Sequence, residues 1–284
     1  MNANDPYGHS LALVDGDLVF RNGRLAEVSG RENLLQALEL RVLTPFGGSP
    51  SPGPVIPSFG TGSSCVVQNR QFCGAWFIDN FGSRFAPRLV EHIELTAIAV
   101  GVGMVIALAA ALLAHRYGWF ETPFSLFAAF LYTVPALAFF ELMVQVTGIN
   151  RFTAEIALVS YTLLILFVNT LAGLRAVPPD ALEAAQAMGF SRRQTLLRVE
   201  LPLALPPIMA GLRIATVTTI SLATVAAYIG AGGLGEPIFD GIQTGFKTEF
   251  IAAGVLAIAL ALAADALLVV AERLLTPWAR RRRA

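Results

Sequence analysis

The sequence predicts an all-α integral membrane protein with about five transmembrane helices. Of its 284 residues, 14% are charged and 55% are hydrophobic, whereas a soluble domain carries about 25% charged residues. Apolar runs of about 20 residues recur after residue 92, and this is the length that crosses the bilayer core as a helix. The net charge is zero, so the composition gives no reason to expect a nucleic acid or another polyanion as a partner.

Residues 1–63 differ from the rest of the chain and are poorly assignable. Residues 17–20 form a short strand candidate, and a capping box at 29–32 precedes the leucine-rich segment ENLLQALELRVL. From residue 47 to 64 the composition is mostly Gly, Ser and Pro, as in a linker. The segment ENLLQALELRVLTPFGG resembles, over few residues, small baseplate proteins of contractile phage tails. We expect an N-terminal extension without a role in the main activity; the alternative is a membrane-anchored phage-tail component.

Residues 64–92 are predicted to form an extracytoplasmic or interfacial lead-in to the membrane. The segment 70–93 mixes aromatic with charged residues and is too polar to span, so we expect an interfacial helix. Cys65 and Cys73 lack the spacing and the histidine neighbours of a zinc site. They either form a small disulfide, if this segment lies outside the cytoplasm, or remain two thiols.

Residues 93–275 are predicted to form the transmembrane domain. The predicted spans are 95–114, 122–140, 156–174, about 204–226, and 251–271. The second is interrupted by Pro135, the third contains Asn169, and the last carries Asp265. A Gly-rich re-entrant or surface segment follows the fourth span.

The arginines predict the orientation of these spans. With the loop between the third and fourth spans in the cytoplasm, the cytoplasmic side carries eleven basic residues and the outer side five. An excess of Arg and Lys marks the cytoplasmic side of a membrane protein. The prediction is therefore a cytoplasmic C-terminus, with residues 276–284 as a basic tail that is attracted to anionic lipid.

The loop EAAQAMGFSRRQTLLRVELP, residues 183–202, is charged although it lies between two apolar spans. Asp180 is positioned to cap a helix, with Glu183 three residues later. Gly189 and Ser191 are expected to end that helix and to begin a second one. Alanines keep its surface small, which suits a close-fitting protein partner better than lipid. The sequence therefore predicts two short helices that project from the membrane.

The spacing of Glu183-Ala184-Ala185, Gly189 and Leu201-Pro202 resembles the EAA loop of permease subunits in ATP-binding-cassette (ABC) importers, with Val199 where Ile is usual. The resemblance covers about residues 87–275. It implies that these six residues dock into a separate cytoplasmic ATPase, which would bind the ATP, so that this chain itself needs no cofactor. It also implies a second permease copy or a paralogue, an extracytoplasmic solute-binding protein, and a location in the plasma or inner membrane.

Four further segments are similar to permeases for glycine betaine, choline, carnitine and related osmoprotectants. They are TVPALAFF, VNTLAGL, ELPLALPPIMAGLRIATV and ATVAAYIGAGGLGEPIFDGI. Methionine-type permeases share part of this pattern, so another small solute such as methionine or an amino acid is the alternative. Tyr132 and Val168 depart from the osmoprotectant pattern, and both positions could border the pathway.

Several polar or aromatic residues within the spans are candidates for the pathway or for helix packing. Pro135 would kink its helix, Asn169 would either bond a neighbouring helix or line the pathway, and Tyr132 and Tyr228 could face a quaternary ammonium group. Asp265 is costly within a span and is expected to contact a neighbouring helix. The glycines in the stretch after the fourth span are read as packing or turn residues, because the strand and helix of a dinucleotide site are missing. These are Gly230, Gly232, Gly233 and Gly235.

No enzyme site is evident in the sequence. There is no Walker A motif, no HExxH and no cluster of metal ligands, and the three histidines lie in different regions. We therefore expect no catalytic residue, no bound metal and a non-enzymatic transport subunit. An ATP-independent channel or secondary transporter is the alternative from a different class.

Overall fold

The computed structural model describes six short strands within residues 9–29, and residues 64–277. The chain divides into two units, Met1–Thr61 and Gly62–Ala284. In the first unit the strands pair antiparallel, β1 with β6, β2 with β3 and β4 with β5. The predicted strand at 17–20 appears as β3 and the start of β4. Three predicted segments lie outside the described residues: the helix after residue 31, the linker up to residue 63, and the last residues of the basic tail. The strands are β1 (His9–Leu11), β2 (Leu13–Val14), β3 (Asp17–Leu18), β4 (Phe20–Arg21), β5 (Arg24–Leu25) and β6 (Glu27–Ser29).

The second unit is helical, which confirms the predicted all-α class for the membrane part of the chain. Two π-helical turns, Phe81–Phe85 and Leu196–Glu200, join consecutive helices without a break. The helices are α1 (Ser64–Val67), α2 (Gly74–Asn80), α3 (Ala86–Arg116), α4 (Glu121–Thr133), α5 (Ala136–Thr147), α6 (Arg151–Arg175), α7 (Pro179–Ala187), α8 (Arg192–Thr195), α9 (Leu201–Ala226), α10 (Gly235–Thr244) and α11 (Lys247–Leu275).

Within the described residues, four helical segments are long and apolar enough to cross a membrane, and a bent pair brings the number to as many as five. The bent pair is α4 and α5, whose axes differ by 100°. Val134 and Pro135 both have extended backbone, with ψ values of 130° and 133°, so two consecutive residues leave the helix. The second predicted span is therefore broken, not only kinked.

The lead-in is helical and runs without a break into the first predicted span. The π-turn joins α2 directly to α3, so one helical segment runs from Gly74 to Arg116. Ahead of it, the structure shows the disulfide alternative for Cys65 and Cys73. The loop that they close presents Asn69, whose amide donates to the Gly245 carbonyl (2.8 Å) and accepts from the Lys247 N–H (3.2 Å). The lead-in is thus hydrogen-bonded to the turn between α10 and α11.

The core of this unit is built around α6, which packs against α3, α4, α5 and α9. One buried cluster near its N-terminal half includes Phe140, Leu158 and Ala223. A second cluster near its C-terminal half includes Phe167 and Ala204. Small residues let the helices approach closely. Within a membrane, this close van der Waals packing rather than the hydrophobic effect drives the association of helices.

Candidate functional site

The first part of the 183–202 loop is a short helix with a well-formed C-terminal cap. α7 begins at Pro179, and Pro178 rather than Asp180 is its N-cap residue. The predicted Asp180 cap is wrong because the consecutive prolines already start the helix, since proline favours the first helical position. At the other end, Gly189 N–H donates to the Gln186 carbonyl and Phe190 N–H to the Ala185 carbonyl, at 2.9 and 3.0 Å. This is a Schellman cap, and it requires the left-handed φ of +74° at Gly189.

The exposed face of α7 includes Glu183, Ala184 and Met188, the last with 66% of its surface exposed. Ala185 is instead completely buried. The expectation that all the alanines of the loop keep its outer surface small is therefore wrong for Ala185, which faces inward because adjacent helical residues point about 100° apart. A partner would meet Glu183, Ala184 and the turn at Gly189.

The second part of the loop is not a separate short helix. Ser191 caps it as predicted, in a capping box in which Gln194 N–H donates to Ser191 Oγ (3.4 Å) and Ser191 N–H to Gln194 Oε1 (2.8 Å). From there α8, the π-turn and α9 form one continuous segment, Arg192–Ile229. Leu201 and Pro202 lie inside this segment, just after the π-turn. The part of the 183–202 loop after Ser191 is thus continuous with a helix that is long and apolar enough to span a membrane.

One side-chain contact links the end of this loop to a neighbouring helix, and an ion pair ahead of the loop links two other helices. His115, at the end of α3, lies 3.0 Å from Glu200. Arg175, at the end of α6, forms an ion pair with Glu121 at the start of α4. The His115–Glu200 contact therefore ties the end of the loop to α3.

The break between α4 and α5 places Tyr132 and Pro135 at exposed positions. The hydroxyl of the buried Tyr161 donates to the Val134 carbonyl at 2.5 Å, which satisfies one of the acceptors that the break leaves free. The ring of Tyr132 lies edge-on to that of Tyr161, with 6.1 Å between centroids. The structure does not bring Tyr228 to this place: its ring packs against Phe239 at 5.9 Å.

Asn169 does not hydrogen-bond a neighbouring helix in the structure. Its amide donates to the Ile165 carbonyl, one turn earlier on α6, at 2.8 Å. Gly211 of α9 packs directly against the Asn169 side chain. A Cβ at position 211 would lie only 2.5 Å from the Asn169 Cβ, so glycine is needed for this close contact. The contact between α6 and α9 at this point is one of close packing.

The glycine-rich segment wraps around two residues of α3 that the sequence did not single out. Gly233 N–H donates to Glu91 (3.0 Å), and Leu234 N–H donates to Nδ1 of His92 (3.2 Å). Gly232 and Gly233 have φ of +81° and +77°, and a Cβ on either would approach Glu91 or His92 to 3.0 Å or less. Both glycines are therefore needed for the turn and for the close approach.

His92 is completely buried and links three segments. Its Nε2 lies 3.0 Å from the Ile220 carbonyl of α9. Since that carbonyl can only accept and Leu234 N–H can only donate, the ring must be neutral with its proton on Nε2. A short 3₁₀ helix, Ala227–Ile229, follows α9, and Gly230 is its C-cap residue. Gly235 packs onto Thr224 and Ala227. The glycine segment is thus a packing and turn element.

Asp265 of α11 forms a bidentate ion pair with Arg213 of α9. The Nε–Oδ1 and Nη2–Oδ2 distances are 2.8 and 3.0 Å, and Glu272 lies 4.0 Å from Nη1. Both side chains retain about a third of their exposure, 34% and 35%. The sequence offered a signal for this pairing, because Arg213 and Asp265 are opposite charges within the fourth and the last apolar stretches.

The chain is similar to known proteins in sequence and in fold. Residues 100–281 match the family model described as binding-protein-dependent transport system inner membrane component. The choline transport system permease protein OpuBB of Bacillus subtilis is 34% identical over 71% of this chain and 93% of its own length. The osmoprotectant import permease protein OsmW of Salmonella typhimurium is 37% identical over 71% of this chain and 96% of its own length. In solved structures, a chain of the MetNI methionine ABC transporter has the same fold, with a TM-score of 0.59 at 21% identity over 68% of this chain and 96% of that one.

Proposed function

The chain belongs to the family of inner membrane components of binding-protein-dependent transport systems, and from this premise we propose that it forms half of the translocation pathway of an ABC importer for quaternary-ammonium osmoprotectants. The other half would come from a second copy or a paralogue, because four or five spans enclose too little space for a pathway of their own. ATP would be bound and hydrolysed on a partner chain, so this chain would need no cofactor of its own.

The observation that carries the proposal is the geometry of the 183–202 loop. Its Schellman cap and capping box make it rigid, and Glu183, Ala184 and Gly189 are exposed on it. A rigid, exposed, small-residue surface suits insertion into a cleft of the ATPase. We assign these residues to docking and Leu201 and Pro202 to the start of the helix that receives the motion.

Two independent features support the proposed orientation. The arginine distribution favours a cytoplasmic 183–202 loop and a cytoplasmic C-terminus. The disulfide between Cys65 and Cys73 lies at the other end of the unit, beside the α10–α11 turn. Since disulfides persist outside the cytoplasm, this end would face the solute-binding protein.

The connected helices give a mechanical route from one side of the membrane to the other. When the ATPases close, the 183–202 loop would move, and with it the continuous segment Arg192–Ile229. At about 1.5 Å per residue this segment is long enough to cross the bilayer. Near its outer end it accepts the hydrogen bond of His92, which links it to α3 and to the glycine segment. Rocking of these packed helices would open the pathway alternately to the two sides.

The substrate class rests on the relatives named for choline, osmoprotectant, carnitine and glycine betaine transport. Choline, carnitine and glycine betaine all carry a quaternary ammonium group, which binds to aromatic faces by cation–π attraction. Tyr132, exposed at the α4–α5 break, is the residue we assign to this contact. Tyr228 and Val168 are further candidates for the pathway surface, whereas Asn169 and Asp265 are assigned to packing and to the ion pair.

Reconstitution into proteoliposomes with the cognate ATPase and solute-binding protein tests this function. We expect ATP-dependent and binding-protein-dependent accumulation of choline, glycine betaine or carnitine, and background uptake of methionine. Deletion of residues 1–63 should leave the rate unchanged, in contrast to a phage-tail role. Uptake of methionine alone would refute the substrate class, and uptake that persists without the ATPase would refute the ABC mechanism.

A further inference from the structure

A groove of about 550 Å³ lies between the end of α3 and the helical segment that follows Ser191. Its lining has an apolar part, which we call the floor and which includes Leu112, Leu113 and Leu196, and a cationic part, which we call the rim and which consists of Arg116, Arg192 and Arg193. One wall thus belongs to a membrane span and the other to the base of the 183–202 loop. A surface that is half apolar and half cationic suits an amphiphile with an anionic head.

The positive charge of this rim is largely uncompensated. Within residues 64–277, none of the ion pairs between side chains includes Arg116, Arg192 or Arg193. The guanidinium group of Arg116 lies over the Tyr117 ring, 5.2 Å from its centroid. The carboxylate that lines the groove is that of Glu200, and it is paired with His115. Three arginines against one paired carboxylate leave the groove cationic.

The depth of the groove matches the headgroup region of a bilayer. The apolar part of α3 ends just before it, at His115 and Arg116. Tyr117 and Trp119 follow directly and are 43% and 74% exposed. Exposed Tyr and Trp at the end of a membrane helix mark the interface between the hydrocarbon core and the headgroups.

We propose that this groove binds an anionic phospholipid of the adjacent leaflet. The arginines hold the phosphate, for which the planar guanidinium forms paired hydrogen bonds, and the leucines carry the first part of an acyl chain. The apolar floor favours a lipid over a free phosphate. A bound lipid contacts both α3 and α8, so it holds the base of the 183–202 loop against the first span.

This inference requires only that the chain spans a membrane, not that the loop docks an ATPase. The exposed surface of α7 that we assign to the ATPase lies before Gly189, whereas the groove lies after Ser191. The two functions can therefore fail separately in an experiment.

The test is native mass spectrometry of the complete transporter complex after exchange into phosphatidylglycerol or phosphatidylcholine with the same acyl chains. We expect retained phosphatidylglycerol in the wild type and its loss in the triple variant Arg116→Gln, Arg192→Gln, Arg193→Gln. Each arginine near an anionic surface contributes about fivefold in affinity, so the triple variant should bind on the order of 100-fold more weakly. Arg198→Gln, an exposed arginine of the same loop outside the groove, is the matched control and should retain the lipid.

Three results would overturn the lipid site. The triple variant could retain phosphatidylglycerol as the wild type does. Glycerol phosphate without acyl chains could displace the lipid, which would indicate an anion site. The triple variant could lose the ATPase while retaining the lipid, which would indicate a protein-docking surface. Equal melting temperatures of the two variants in detergent would show that a loss of lipid is not a loss of fold.

Discussion

Replacing Gly189 with Asp is expected to abolish transport and to weaken association with the ATPase by at least 30-fold. Gly189 has a φ of +74°, and a Cβ there would meet no atom within 4 Å. The backbone strain of a side chain in this conformation is roughly 1–2 kcal/mol and local. The large effect would come from a carboxylate placed in the docking surface, where an unpaired charge costs about 2–5 kcal/mol on association.

The chain offers a matched control for this substitution. Gly245 has a φ of +69°, is exposed, and also has open space around its Cβ position, but it lies at the opposite end of the unit. Gly245→Asp should therefore carry the same strain and leave association with the ATPase unchanged. Gly189→Ala, which adds the strain without the charge, should be intermediate. Co-purification of the ATPase measures the difference, and equal co-purification with Gly189→Asp and Gly245→Asp would refute the docking role.

Replacing Asp265 with Ala is expected to destabilise the membrane unit. Arg213 would lose both of its short hydrogen bonds and retain only Glu272, at 4.0 Å. An unpaired arginine within an apolar span is unfavourable, and the one-third exposure of this pair makes the cost smaller than for a fully buried pair. Unfolding by denaturant in detergent micelles measures the change.

A double substitution distinguishes the cost of an unpaired charge from a general need for polar groups at this place. Arg213→Met with Asp265→Leu should recover most of the lost stability, since apolar replacement of an ion pair is often neutral. Glu272→Ala removes the more distant partner and should cost less than Asp265→Ala. If Asp265→Ala unfolds at the same denaturant concentration as the wild type, the ion pair does not support the fold.

The features that could be predicted from the sequence are those set by local pattern. Apolar length defined the spans, and Gly189 and Ser191 marked a helix end and a helix start because each acts within a few residues. The N-cap of α7 was misplaced for a reason that is also local. The proline pair at 178–179 starts the helix ahead of Asp180, and this signal is visible in the sequence.

The features that could not be predicted depend on tertiary packing. The burial of Ala185 depends on which face of α7 lies against the following π-turn. The role of His92 depends on its hydrogen bonds with Ile220 and Leu234, which lie about 130 and 140 residues away in the sequence. The continuity of α2 with α3 and of α8 with α9 depends on π-turns, for which composition gives no clear signal. In each case the physical cause lies in a partner that the local sequence does not contain.

The central claim is that the 183–202 loop contacts the ATPase, and site-directed cross-linking tests it most directly. Both cysteines of the chain are in the disulfide, so a cysteine introduced at Met188 is its only free thiol. Ile149→Cys, at a position 74% exposed in the turn between α5 and α6, is the control. With a thiol–amine cross-linker in the assembled complex, we expect an adduct with the ATPase from Met188→Cys and none from Ile149→Cys. No adduct from Met188→Cys, or equal adducts from both positions, would contradict the account.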